Sequence, residues 1–111
     1  MEKEVKTWLE DIRQSIDEIE GFLPEKRNFL EFQKDLKTRK AIERNIEIIG
    51  EAVYRILKIN PEIQITNARK IVDTRNRIIH GYDSISTDII WAIAIKDLKD
   101  LRDEIVKLLE E

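Results

Sequence analysis

The chain has 111 residues, a formal net charge of −3 and no cysteine, which leaves room for one domain with a modest core and excludes a disulfide framework and thiolate metal sites. No apolar run approaches bilayer-spanning length and the N-terminus, Met1-Glu2-Lys3-Glu4, is unlike a secretory signal, so a soluble, cytoplasmic chain without membrane contact is expected. A net acidic chain does not suit a generic nucleic-acid binder, but the charge is uneven: residues 1–25 sum to −5, whereas Lys34 to Arg44 and Arg69 to His80 each sum to +3, so contact with a polyanion belongs to those two segments.

In chain order, Val5, Trp8, Leu9, Ile12, Ile16 and Ile19 recur at helical spacing, predicting a first helix that stops at Gly21 with Pro24 just beyond. Glu25 to Phe32 reads as a short helix or a turn. A long helix follows from about Asp35 to Lys58, with Ile42, Ile46, Ile49, Val53 and Ile56 on one stripe, ended by Asn60-Pro61. Gly50, inside it, costs about 1 kcal/mol relative to alanine, and its simplest use is to let another helix or chain approach closely. Arg44, Glu47 and Glu51 fall on neighbouring turns, where mutual pairing is the first account and orientation of Arg75 or His80 the second. The next helix begins near Thr66 or Asn67, either of which can cap it. After a loop at Gly81 to Ser86, the last helix runs from about Thr87 to the C-terminus, with Ile90, Ala94, Leu98, Leu101, Ile105 and Leu108 inward. Asp97, Asp100, Asp103 and Glu104 alternate with Lys96, Lys99, Arg102 and Lys107, the pattern of a salt-bridged surface rather than a metal cluster. Trp8 and Trp91 sit at apolar helical positions, as core or interface anchors. Period-two alternation is nowhere sustained, so the expected class is all-α, an antiparallel bundle of four to five helices.

The chemistry concentrates in Arg75-Asn76-Arg77-Ile78-Ile79-His80-Gly81-Tyr82. His80 is the only histidine, and imidazole is the side chain that titrates near neutral pH. Arg75 adds a permanent planar cation suited to phosphate oxygens and to charge that builds up during phosphoryl transfer. A histidine in the last turn followed by glycine is also an ordinary helix end. The helical geometry adds what that reading omits: Arg75 lies inside the apolar stripe of Ala68, Ile71, Val72, Ile78 and Ile79, where an unpaired charge is too costly. The opposite face carries Arg69, Asp73, Asn76 and His80 in one polar row. Five helical residues separate Arg75 and His80 by roughly 140° in azimuth, so they converge on one phosphate only if the helix ends near His80 or a second chain contributes.

The pattern Arg75, His80, Tyr82 resembles the R-x4-H-x-Y motif of HepT-like toxins, all-helical ribonucleases of the HEPN superfamily. The run TRKAIERNIEIIGEAVY from Thr38 to Tyr54 is similar to the family's long central helix, and Asp88-Ile89-Ile90-Trp91 with Asp97-Leu98 to the start of its last helix. The resemblance implies a single domain over residues 1–111, a homodimer formed through the motif-bearing face, and a metal-independent endoribonuclease toxin that needs no cofactor. RNA carries its own nucleophile, the 2′-hydroxyl, and tRNA is the first substrate to expect by resemblance. Arg75 and His80 are the expected catalytic residues, and Asn76 and Arg77 bind or orient the substrate. Tyr82 is the site at which an MntA-type nucleotidyltransferase antitoxin would add AMP and silence the enzyme. The alternative is a non-catalytic HEPN module that binds such a partner, nucleotides or RNA without cutting.

Overall fold

Asp35 starts the longest element by placing its carboxylate over the N-terminus of the helix that follows, where Thr38 donates its N–H to Oδ1 at 3.0 Å and its hydroxyl to Oδ2 at 2.6 Å. The hydroxyl first, then the N–H, hold the Asp35 carboxyl below the usual carboxylate range. The computed structural model describes residues 1–23, 25, 27–81 and 86–111, and among them every regular element is helical. The elements are α1 (Lys3–Phe22), α2 (Phe29–Lys34), α3 (Leu36–Ile59), α4 (Ala68–His80), α5 (Thr87–Ala92) and α6 (Leu98–Glu110), with a π-helical turn Ile93–Asp97 joining α5 to α6. The chain is an all-α bundle, as the periodicity predicts.

The stripes read from the sequence meet as the core. Val5, Leu9, Ile12, Ile16 and Ile19 of α1 pack with Ile42, Ile46, Ile49, Val53 and Ile56 of α3 and with Leu98, Leu101, Ile105 and Leu108 of α6, all buried. Each such side chain contributes about 1.5–3 kcal/mol by leaving water. Phe32 on α2 closes one end, its ring 4.9 Å from that of Trp91, which also meets Phe29 edge-on at 6.0 Å. The short element between the first two long helices therefore begins at Phe29, beyond Gly21, and Pro24 lies outside the described residues.

Two local features differ from expectation. The last helix is interrupted by the π turn, which brings Ile93 and Leu98, five residues apart, both to the core. The second is the start of α4: Asn67 occupies the N-cap position in a left-handed conformation, φ 60°, and its side chain caps nothing. Thr66 does not cap α4 either, because it donates its N–H at 3.1 Å and its hydroxyl at 2.6 Å to the carboxylate of Glu104 on α6. Among the described residues no helix is long and apolar enough to cross a membrane.

Candidate functional site

α4 crosses α3 at Gly50, and the crossing fixes the stem of Arg75. A Cβ built on Gly50 would lie 2.3 Å from Arg75 Cβ, 2.8 Å from its Cγ and 3.2 Å from the Ile71 carbonyl oxygen, so the missing side chain is what admits α4 this closely. Val72 and Thr74 are the buried residues of α4. The stripe is not covered along its whole length: Ile71 and Ile78 are half-buried and Ile79 is 47 % exposed.

The guanidinium of Arg75 emerges beside Glu51, the residue after the crossing glycine. Arg75 Nη2 lies 2.6 Å from Glu51 Oε2, Nη1 donates to Asn76 Oδ1 at 2.9 Å, and the other carboxylate oxygen of Glu51 accepts from Arg55 Nε at 3.0 Å. The pair is incomplete. Among the described residues Arg75 Nε is buried with no acceptor, and Glu51 Oε2 lacks a well-directed hydrogen bond despite the close approach. An ion pair of this exposure, 25 % for Arg75 and 33 % for Glu51, contributes about 0–1 kcal/mol to folding. These side chains line a cavity of about 270 Å³ in which Asp11, Glu47 and Glu51 face Arg44, Arg55 and Arg75, so within one chain its charges balance.

His80 is the last residue of α4 and is exposed. Gly81 ends the helix in the left-handed conformation, φ 63°, and donates its N–H to the Arg77 carbonyl at 3.1 Å. His80 does not line the Arg75 cavity, which agrees with the azimuthal separation counted from the sequence. A larger cavity of about 340 Å³ lies between α3, α4 and α6, but its rim carries Asp97, Asp100, Asp103 and Glu104 against the single cation Lys70. That charge repels phosphate and leaves the Arg75 side of α4 as the candidate site.

The sequence model of the ribonuclease HepT-like family matches residues 12–108. The chain belongs to that family. It is 37 % identical to a Methanocaldococcus jannaschii protein named as a candidate RNase, over 97 % of this chain and 92 % of that protein. A Thermococcus cleftensis protein named a probable ribonuclease HepT is 34 % identical, over 97 % of this chain and 98 % of its own length. A longer M. jannaschii protein, named as a gamma-glutamylcyclotransferase and candidate RNase, is 30 % identical over the whole of this chain and 50 % of its own length. No solved structure matches significantly.

In this HepT-like chain Arg75, Asn76, Arg77 and His80 all lie on α4, and Tyr82 lies outside the described residues. The structure joins Arg75 to Asn76 and does not bring Arg75 together with His80 in one cavity. Asn76 is expected from the sequence to bind or orient substrate; here its side-chain oxygen Oδ1 accepts from Arg75. Arg44 pairs with Glu47 at 3.0 Å, the local pairing expected along α3. Glu51 departs from that account by reaching across to α4. The signal for it was present: an arginine in an apolar stripe needs a counter-charge, and a glycine predicted to admit another helix is followed directly by an acid.

Proposed function

We propose that this HepT-like ribonuclease is a metal-independent endoribonuclease toxin that cuts RNA through the 2′-hydroxyl, acts as a homodimer and is silenced by AMP transfer to Tyr82. A base takes the 2′-hydroxyl proton, the freed oxygen attacks the adjacent phosphorus, the bond from phosphorus to the 5′-oxygen breaks, and that oxygen receives a proton. The products are a 2′,3′-cyclic phosphate and a 5′-hydroxyl. His80 serves the proton transfers and Arg75 offsets the negative charge on the phosphorane oxygens. With one histidine per chain, two proton transfers call for two copies of His80, and a two-fold assembly supplies them.

The observation that carries this reading is the placement of Arg75: a cation from the apolar face of α4, held at the edge of a cavity with its Nε unsatisfied, in a chain whose family is named for ribonuclease activity. The side chain remains 25 % exposed, and a planar guanidinium at a cavity edge suits phosphate oxygens. Arg77 lies exposed on the same helix, where it suits contact with the RNA backbone. AMP on Tyr82, two residues beyond His80, would put negative charge and bulk beside the site and exclude RNA by repulsion and occlusion. The test is cleavage of total RNA by the wild type and by His80→Ala, with folding checked by circular dichroism. His80→Ala should fold normally and cut nothing; cutting at the parental rate would remove His80 from the mechanism.

A further inference from the structure

Glu51 is the carboxylate that meets Arg75, and its other oxygen is already held by Arg55. We infer that Glu51 is a positioning residue for RNA cleavage, fixing the Arg75 guanidinium in the orientation from which it meets the scissile phosphate. The inference rests on the ribonuclease reading above. Three observations carry it.

The stem of Arg75 is wedged against Gly50, so only the outer part of the side chain retains freedom, and Glu51, one residue on, is placed to remove it. Glu51 also divides its two oxygens between two arginines. The trio of Arg55, Glu51 and Arg75 keeps one net positive charge, which means that holding Arg75 does not neutralise it. The third observation is that the pair is not closed. A carboxylate and a guanidinium that meet only for stability favour two parallel hydrogen bonds; here Glu51 offers Arg75 one oxygen, Oε2, which lacks an aligned donor despite the close approach. The guanidinium is thus anchored at Nη2 by Glu51 and at Nη1 by Asn76 without a closed bidentate pair. A phosphate oxygen that meets the solvent-facing part of this side chain, 25 % exposed, finds the group already oriented.

Positioning and simple repulsion predict opposite kinetics. If Glu51 only repelled RNA, removing its charge would lower KM and leave kcat alone. As a positioning residue its loss lowers kcat with little change in KM, because the oriented contact is made most fully in the transition state. Glu51→Gln keeps the size and removes the charge. It should reduce kcat at least tenfold with KM within about threefold of the parent, while Glu18→Gln, which removes an acid of α1 outside this cavity, should keep the parental kcat. A second readout does not require cleavage: the Nε–H resonance of Arg75 by ¹⁵N NMR should be distinct in the parent and collapse toward the position of free arginine in Glu51→Gln. Should Glu51→Gln fail to fold, Glu51→Asp keeps the charge but shortens the reach by one methylene, and should show the same kcat loss in smaller degree. An unchanged Nε–H resonance, a parental kcat with lowered KM, or an equal kcat loss in Glu18→Gln would each overturn the inference. If the parent cuts no RNA, the ribonuclease reading fails, and the resonance alone decides whether Glu51 holds Arg75.

Discussion

Gly50→Ala perturbs the crossing of α3 and α4 where the structure leaves no space. The new methyl would sit 2.3 Å from Arg75 Cβ and 3.2 Å from a backbone oxygen of α4, whereas carbon atoms pack at about 3.5–4.0 Å. Neither neighbour is the far end of a flexible side chain, so α4 must retreat locally by about 1 Å. Overpacking of this kind costs about 1–3 kcal/mol, and alanine returns about 1 kcal/mol of helix propensity, for a net loss of about 0–2 kcal/mol. Thermal unfolding should show this as a melting temperature unchanged or lowered by up to about 10 °C. The effect on cleavage should be larger, because displacing a catalytic group by about 1 Å can cost about a hundredfold in rate. Single-turnover cleavage of RNA alongside the melt separates the two. Gly21→Ala is the control, since a Cβ there meets nothing within 4 Å; it should be neutral or stabilising and fully active. A Gly50→Ala protein that is more stable by the whole propensity gain and cuts at the parental rate would refute the close-approach argument and its link to Arg75.

Arg75→Ala should also abolish cleavage, and mixing it with His80→Ala should restore partial activity if each site draws on two chains; a strictly monomeric protein by light scattering would end the dimer proposal. Co-expression with an MntA-type nucleotidyltransferase should add AMP mass increments to the peptide containing Tyr82, and Tyr82→Phe should escape both modification and neutralisation; label found on Tyr54 instead would remove Tyr82 from this role. Because the folded-state pKa of Asp35 is depressed below its ordinary 3.8, its capping contribution is present at neutral pH and is lost as pH falls through that depressed value. The melting temperatures of the parent and Asp35→Ala should therefore differ at neutral pH and converge in strong acid; a constant difference would mean that the carboxylate is not what stabilises the start of α3.

Helices with a one-sided apolar stripe were legible because burial enforces their periodicity: Ile42 to Ile56 and Leu98 to Leu108 became core as read. The π turn was not, because Ala94 and Leu98 are also four residues apart and the sequence carries the same pattern with or without the extra residue. Neither candidate caps α4, because Asn67 takes the left-handed conformation and Thr66 turns its hydroxyl to Glu104, distant in sequence. At the candidate site, the need of Arg75 for a partner and the role of Gly50 could be argued from one chain's sequence. Glu51 as the residue that orients Arg75 is only the second account the sequence offers, because an acid with Arg55 four residues away is already satisfied by local pairing.

The central claim is cleavage through the 2′-hydroxyl without metal, and the chemistry of the product ends tests it most directly. Purified wild-type protein incubated with total RNA in excess EDTA should still cut, leaving 2′,3′-cyclic phosphate and 5′-hydroxyl ends, with His80→Ala in parallel leaving the RNA intact. Cleavage that stops in chelator, or products with 3′-hydroxyl and 5′-phosphate ends, would contradict the account.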